Sequence, residues 1–236
     1  MKLPTISQPL FEETIPSNDK KILFRPYTVA EEKILLIAKE SDSEADIVRA
    51  MRQVLNLCVQ DSFFATEKLT TFDLEYLFLK LRAKSVENIV KLSYRDNDDD
   101  KIYTFELNLD DVKVVFPDNQ LKSIKVNDVV SFTMRYPDSD ISNRLKDFDN
   151  EVDLMLFFVS NCIDIIYEGD TPYDTADFDI KEVSQFVESL DLKTFEKVKE
   201  FFESIPKLYH KFEYVNEHGD DRKVELTQLK DFFTLV

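Results

Sequence analysis

The spacing of apolar residues changes along this chain, and each change marks a predicted element. Residues 21–24, Lys-Ile-Leu-Phe, read as a strand that Arg25-Pro26 ends. Pro16, Ser17, Asn18 and Asp19 give a turn signal before it, so a hairpin is expected, with Phe11 and Ile15 packing. Thr28 stands three residues before Glu31, the spacing at which two side chains satisfy orphan backbone donors at a helix start. Ile34, Leu35, Leu36, Ile37 and Ala38 make this first helix apolar almost all round, which predicts that it is sunk in the core.

Ser41, Asp42 and Ser43 supply caps for a second helix, whose Ile47, Met51, Val54, Leu55 and Cys58 share one face. Thr70, three residues before Asp73, opens a third. Here Leu74, Leu77, Phe78 and Leu81 repeat the pattern, while Phe72, Tyr76 and Leu79 widen it, so packing on two sides is expected. From about residue 86 the period falls to two. Val90, Leu92 and Tyr94 form the first alternating set, and Tyr103, Phe105 and Leu107 the second. Val112, Val114 and Phe116 follow, then Val130, Phe132, Met134 and Tyr136, which together predict a four-stranded antiparallel sheet.

A long helix is expected over 142–166, where Leu145, Phe148, Val152, Met155, Val159, Cys162 and Ile166 make a heptad seam. Leu156, Phe157, Phe158, Ile163 and Ile165 make it too apolar for a surface coiled coil, so it reads as a central core helix closed by Gly169. Residues 170–179 read as an acidic loop containing Pro172. Asp179 caps a helix bearing Val183, Phe186, Val187 and Leu190, and Phe195, Val198, Phe202 and Ile205 line another that ends at Pro206. Residues 209–216 and 222–227 flank Gly219 as a hairpin, and a short amphipathic helix follows from Thr227. The fold class is therefore α+β: a helical core with an antiparallel β-sheet insertion and a C-terminal hairpin plus short helix. No repeat or linker marks a boundary, so residues 1–236 are expected as one domain, with a β-rich lobe at 86–136 packed on helices 28–84 and 142–205.

Composition narrows the function classes. Only two glycines occur in 236 residues, so no Gly-rich loop can cradle a phosphate. The net charge of −17 opposes nucleic-acid binding, which needs clustered Lys and Arg. Residues 137–191 hold 15 carboxylates against three basic residues, a net of −12 in one segment. That segment is expected either to steer the chain toward basic partner surfaces or to keep it soluble. The longest apolar run, residues 154–159, is far short of the ~20 residues that span a bilayer. No secretory leader pattern opens the sequence, so a cytosolic location is expected.

Candidate chemistry is sparse. Cys58 and Cys162 are far apart, on apolar faces, and read as small buried hydrophobes. Asp96, Asp98 and Asp100 have the 1, 3, 5 spacing of a calcium loop, yet Lys101 and Leu107 stand where the sixth-position glycine and twelfth-position glutamate belong. That loop reads as a solvated hairpin tip. His210 and His218, eight apart, match no metal pair. A carboxylate-based hydrolase is the enzyme alternative, and it needs two carboxylates fixed across a cleft. No catalytic, cofactor-binding or metal-ligating residues are assigned, and no cofactor is expected.

The N-terminal segment carries a resemblance: Pro9, Phe11, Pro16-Ser17, the run Phe24-Arg25-Pro26-Tyr27-Thr28-Val29, and the run from Glu31 through Ala38. With Tyr214-Val215-Asn216 and Asp231-Phe232-Phe233 near the C-terminus, it is similar to baseplate proteins of T-even-like contractile-tailed phages. The resemblance is weaker between these ends. It implies a non-enzymatic hub assembly protein, or alternatively a permanent hub subunit, with other baseplate hub or tail proteins as partners. The implied location is the host cytoplasm during assembly, or the virion baseplate. The expected docking residues are Leu226, Leu229, Phe232, Phe233 and Val236, which fall near one helical face. Either the preceding hairpin or a partner must cover that face, because so short a helix is marginal alone.

Overall fold

A computed structural model describes residues 6–41, 43–118, 121–139, 141 and 150–232. The chain divides into two compact units, Met1–Val115 with Lys207–Val236, and Phe116–Pro206. The second is an insertion in the first.

Unit 1 begins with the expected hairpin, β1 (Phe11–Thr14) paired antiparallel with β2 (Lys21–Phe24). Three helices follow: α1 (Val29–Glu40), α2 (Glu44–Cys58) and α3 (Thr71–Ser85). Thr28 with Glu31 and Thr70 with Asp73 both form capping boxes, and Ser43 caps α2. Asp73 also accepts the Ser17 N–H at 3.0 Å, which fixes the first hairpin's turn to the start of α3. Helix α3 packs on two sides, as its wide apolar face predicts. Leu74, Leu77, Phe78 and Leu81 join Met51, Val54 and Leu55 of α2 in one core. Leu79 and Ala83 join a second core built from strands.

Those strands are β3 (Ile89–Arg95), β4 (Ile102–Asn108), β5 (Lys113–Val115), β10 (Lys207–Val215) and β11 (Asp221–Leu226). The four alternating stretches between 86 and 136 do not make one sheet. β3 pairs with β4 alone, whereas β5 pairs with β10, across more than ninety residues of chain. Period-two patterning identifies strands and the face each buries, but it does not name the neighbour.

The β3–β4 and β10–β11 hairpins of unit 1 meet through aromatic faces and a carboxylate clasp. Phe105 stacks on Phe212 with ring centroids 4.6 Å apart, and Tyr103 lies 4.4 Å from Tyr214. Asp96 is fully buried at the β3–β4 tip, not solvated as the sequence suggests. It accepts from Tyr214 Oη at 2.5 Å and from Arg222 Nη2 at 3.2 Å, and Arg222 also pairs with Asp98. The Tyr214 hydroxyl and the Asp98 N–H hold the Asp96 carboxyl below its ordinary pKa. Asp100 adopts φ +56°, which completes the tight turn.

Unit 2 is a four-stranded antiparallel sheet in the order β6 (Ser123–Lys125), β7 (Val130–Met134), β8 (Ile163–Glu168), β9 (Thr171–Asp174). Its described helices include α4 (Glu151–Cys162), α5 (Ile180–Glu188) and α6 (Leu192–Glu203). The long helix expected to reach Ile166 ends at Cys162. Arg135 explains the stop: its N–H bonds the Cys162 carbonyl and its Nε the Asn161 carbonyl, both at 2.8 Å. The β-branched run from Ile163 then continues as a strand. Of the heptad seam, Val159 and Cys162 are buried, Val152 and Met155 are exposed, and Leu145 and Phe148 lie outside the described residues. Gly169, with φ +59°, closes the β8–β9 hairpin at the turn position that suits glycine, and the expected acidic loop supplies β9.

Lys80 of α3 is buried in unit 1, and its ammonium donates to the carbonyls of Leu109, Asp110 and Val112 at 3.0, 2.7 and 2.9 Å. Burial pulls its pKa below the ordinary lysine value, and the negative charges of Glu13, Asp110 and Asp111 oppose that pull. Lys80→Met keeps the side chain's bulk but orphans all three acceptors. It is expected to lower unfolding free energy by about 3 kcal/mol, read as a reduced urea midpoint.

Candidate interaction surface

The surface feature that stands out in unit 1 is α1. Its position is set by a polar knot at its N-terminus. Glu31 Oε2 accepts from the Thr28 N–H at 2.7 Å and from Thr28 Oγ1 at 2.6 Å, while Oε1 accepts from Arg25 Nη2 at 2.9 Å. Arg25 also donates to the carbonyls of Pro26 and Leu57, at 3.0 and 3.2 Å, so the strand before α1 and the end of α2 share one guanidinium. The Arg25 hydrogen bond, followed by those from Thr28, outweighs burial and holds the Glu31 carboxyl down at about 2.

Held this way, α1 does not sink. Val29, Leu36 and Ile37 are 86%, 53% and 58% exposed. The face that meets solvent reads Val29, Ala30, Lys33, Leu36, Ile37, Lys39 and Glu40. Ile34 and Leu35 pack against the core, and Ala38 is buried. The expectation of a fully buried helix is therefore corrected. An all-round apolar helix has a second solution, in which one side packs and the other is left at the surface.

The sequence-predicted docking residues are placed differently. Leu226 is buried in β11, Phe232 is fully buried, and Leu229 packs partly against the same core. Phe233 and Val236 lie outside the described residues. Residues Leu229–Phe232 form a 3-10 turn in place of the expected helix, with Asp231 accepting from the N–H groups of Thr227 and Gln228 at 3.0 and 2.9 Å.

The reactive side chains are engaged in structure. Burial pushes the Cys58 thiol up to about 11 and the Cys162 thiol up to about 12, the opposite of an activated nucleophile. His210 sits edge-on to Phe212, 4.8 Å away, and burial lowers its pKa. Among the described residues, no group of three or more His, Cys, Asp or Glu is placed to hold a metal ion, and no helix is long and apolar enough to cross a membrane.

These features define an α+β protein with an apolar helix face at its surface. The sequence profile of the family described as T4 bacteriophage base plate protein matches residues 8–234, and the chain belongs to that family. It is thus a phage baseplate protein, and its partners are other phage tail proteins. No curated protein and no solved structure matches it significantly.

The Glu31 knot gives a pH signature. Its carboxylate is held from an ordinary 4.5 down to about 2, so the stability it contributes is present above pH 4.5 and lost as pH falls toward 2. Glu31→Gln is expected to cost about 2 kcal/mol at neutral pH. In a series of thermal melts, the gap between variant and wild type should close across that acid window.

Proposed function

We propose that this baseplate protein is a hub assembly factor that works by binding other tail proteins, without covalent chemistry. The observation that carries the reading is the solvent-facing stripe of α1. Four of its seven residues are apolar, on the side of a helix where a free monomer ordinarily carries charge. Such a face suits coverage by the apolar surface of a hub protein. An assembly factor speeds a reaction by holding subunits in a productive orientation, so it needs surfaces and no catalytic constellation. The buried thiols and the carboxylates tied into caps and clasps support the non-enzymatic reading. The −12 of residues 137–191 favours fast encounter with basic partner surfaces. In this reading the protein acts in the host cytoplasm during assembly.

A permanent hub subunit would use the same face, and stoichiometry separates the two. Mass spectrometry of purified virions is expected to find the chain absent or far below baseplate copy number, and fixed stoichiometry would establish the subunit instead. The face itself is tested by Leu36→Glu combined with Ile37→Glu. Both side chains are exposed, so the melting temperature should hold. Affinity for hub proteins of the same phage should fall at least tenfold, about 1.4 kcal/mol. Undiminished co-purification would remove α1 from the interface.

A further inference from the structure

The sheet of unit 2 ends on β6, which pairs with β7 on one side only. The Met134 N–H bonds the Lys122 carbonyl at 2.7 Å, and the Val126 N–H bonds the Val130 carbonyl at 3.0 Å. Residues 122, 124 and 126 therefore turn their backbone groups toward β7, and alternation turns those of Ser123 and Lys125 toward the free edge. The Lys125 carbonyl reports this independently, because it accepts from Lys197 Nζ of α6 at 3.1 Å. Among the described residues, the Ser123 N–H, the Ser123 carbonyl and the Lys125 N–H have no backbone partner.

A groove of about 450 Å³ runs between this edge and α6. Ser123, Ile124 and Lys125 form its strand wall, and Lys193, Lys197 and Glu200 its helix wall, spaced four, then three residues apart on one side of α6. A free sheet edge beside a helix is the arrangement by which an extended peptide joins a domain as an added strand. Main-chain hydrogen bonds supply affinity, and the walls supply selectivity.

Charge selects the occupant. Residues 116–206 carry 20 acidic and nine basic side chains, yet the groove gathers three lysines. Lys125 is paired with Asp128 at 2.8 Å, and Glu196, also on the helix wall, is paired with Lys199 at 2.7 Å. Asp191, at the N-cap of α6, acts on Lys193 and Lys197 from outside the groove, and the lining itself, Lys125, Lys193 and Lys197 against Glu196 and Glu200, is net +1 on a unit of net charge −11. A second copy of the chain is disfavoured, because pairing two β6 edges would bring the lysines of both grooves to one seam. We infer that the β6–α6 groove binds an extended acidic segment of a partner protein, which joins the unit 2 sheet as a fifth strand. The inference gives the interaction reading a second site, independent of α1.

The probe is a blocked peptide of alternating valine and glutamate, titrated into the full chain. Bound peptide is expected to slow amide exchange at Ser123 and Lys125 at least tenfold, with affinity falling as salt rises. A valine and lysine counterpart should not bind. Ser123→Pro removes the outward N–H without breaking a β7 hydrogen bond, an edge position where proline is tolerated. It should retain the wild-type melting temperature and bind at least tenfold more weakly. If that variant does not fold, Lys193→Glu with Lys197→Glu tests the same groove by charge and should weaken binding equally. No binding, equal binding of both peptides, undiminished binding by a folded variant, or protection elsewhere with Ser123 and Lys125 unchanged would each overturn the inference. The peptide assay contains no other baseplate protein, so its failure leaves the assembly reading untouched.

Discussion

Unit 1 depends on a charge taken out of water. An ammonium buried without partners costs several kcal/mol, so Lys80 is tolerated on α3 only because three carbonyls converge on it. Those carbonyls belong to the 3-10 turn Leu109–Asp111 and to Val112, the connection between β4 and β5. A tight turn leaves acceptors that no strand or helix ladder can use. A long flexible side chain from the neighbouring helix satisfies them, and the strand core is thereby pinned to α3. The other side of α3 holds the helical core, so one helix unites two hydrophobic clusters.

The same economy runs through the acidic side chains. Asp73 caps α3 and holds the first hairpin, Glu31 caps α1 and binds Arg25, and Asp96 ties one strand pair to the other. An acid-rich sequence invites thoughts of catalysis, but these carboxylates have their oxygens occupied by backbone N–H groups, hydroxyls and guanidinium. The depressed pKa values of Glu31 and Asp96 follow from folding duties, which perturb titration as much as active sites do. Among the described residues, the proposed partner surfaces rest on shape instead: the apolar side of α1 and the edge of β6.

Local chemistry made much of this legible in sequence. Thr28 with Glu31 and Thr70 with Asp73 each open a helix, because a capping box is decided within four residues, and Asp179 caps another. The turns at Pro16 and Gly219 are local in the same sense. Partner choice among strands was hidden, since Val114 pairs with Leu208 and nothing in either segment names the other. The end of α4 was missed because the stop comes from Arg135, just past the end of β7 and 26 residues earlier than Asn161. The α1 surface was misread for a different reason. A helix apolar all round fits burial and fits a two-sided role equally well, and only packing of Ile34 and Ala38 inward decides which side stays out. The β6 groove has a faint sequence trace, Lys193 and Lys197 one turn apart, but the free edge beside them is a product of topology.

The insertion of one unit within the other also sets an order of events. Every strand and helix of unit 2 comes from Phe116–Pro206, so its core is complete once that stretch has left the ribosome. Unit 1 must wait, because β5 has no partner until β10 arrives and the strand core lacks Leu208, Val224 and Leu226 until then. During that interval the chain carries a finished inner unit and a half-built outer one whose β5 edge is open. Synthesis itself thus acts as a timer, and the strand core of unit 1 matures last, after the helical core on which α1 packs has been made.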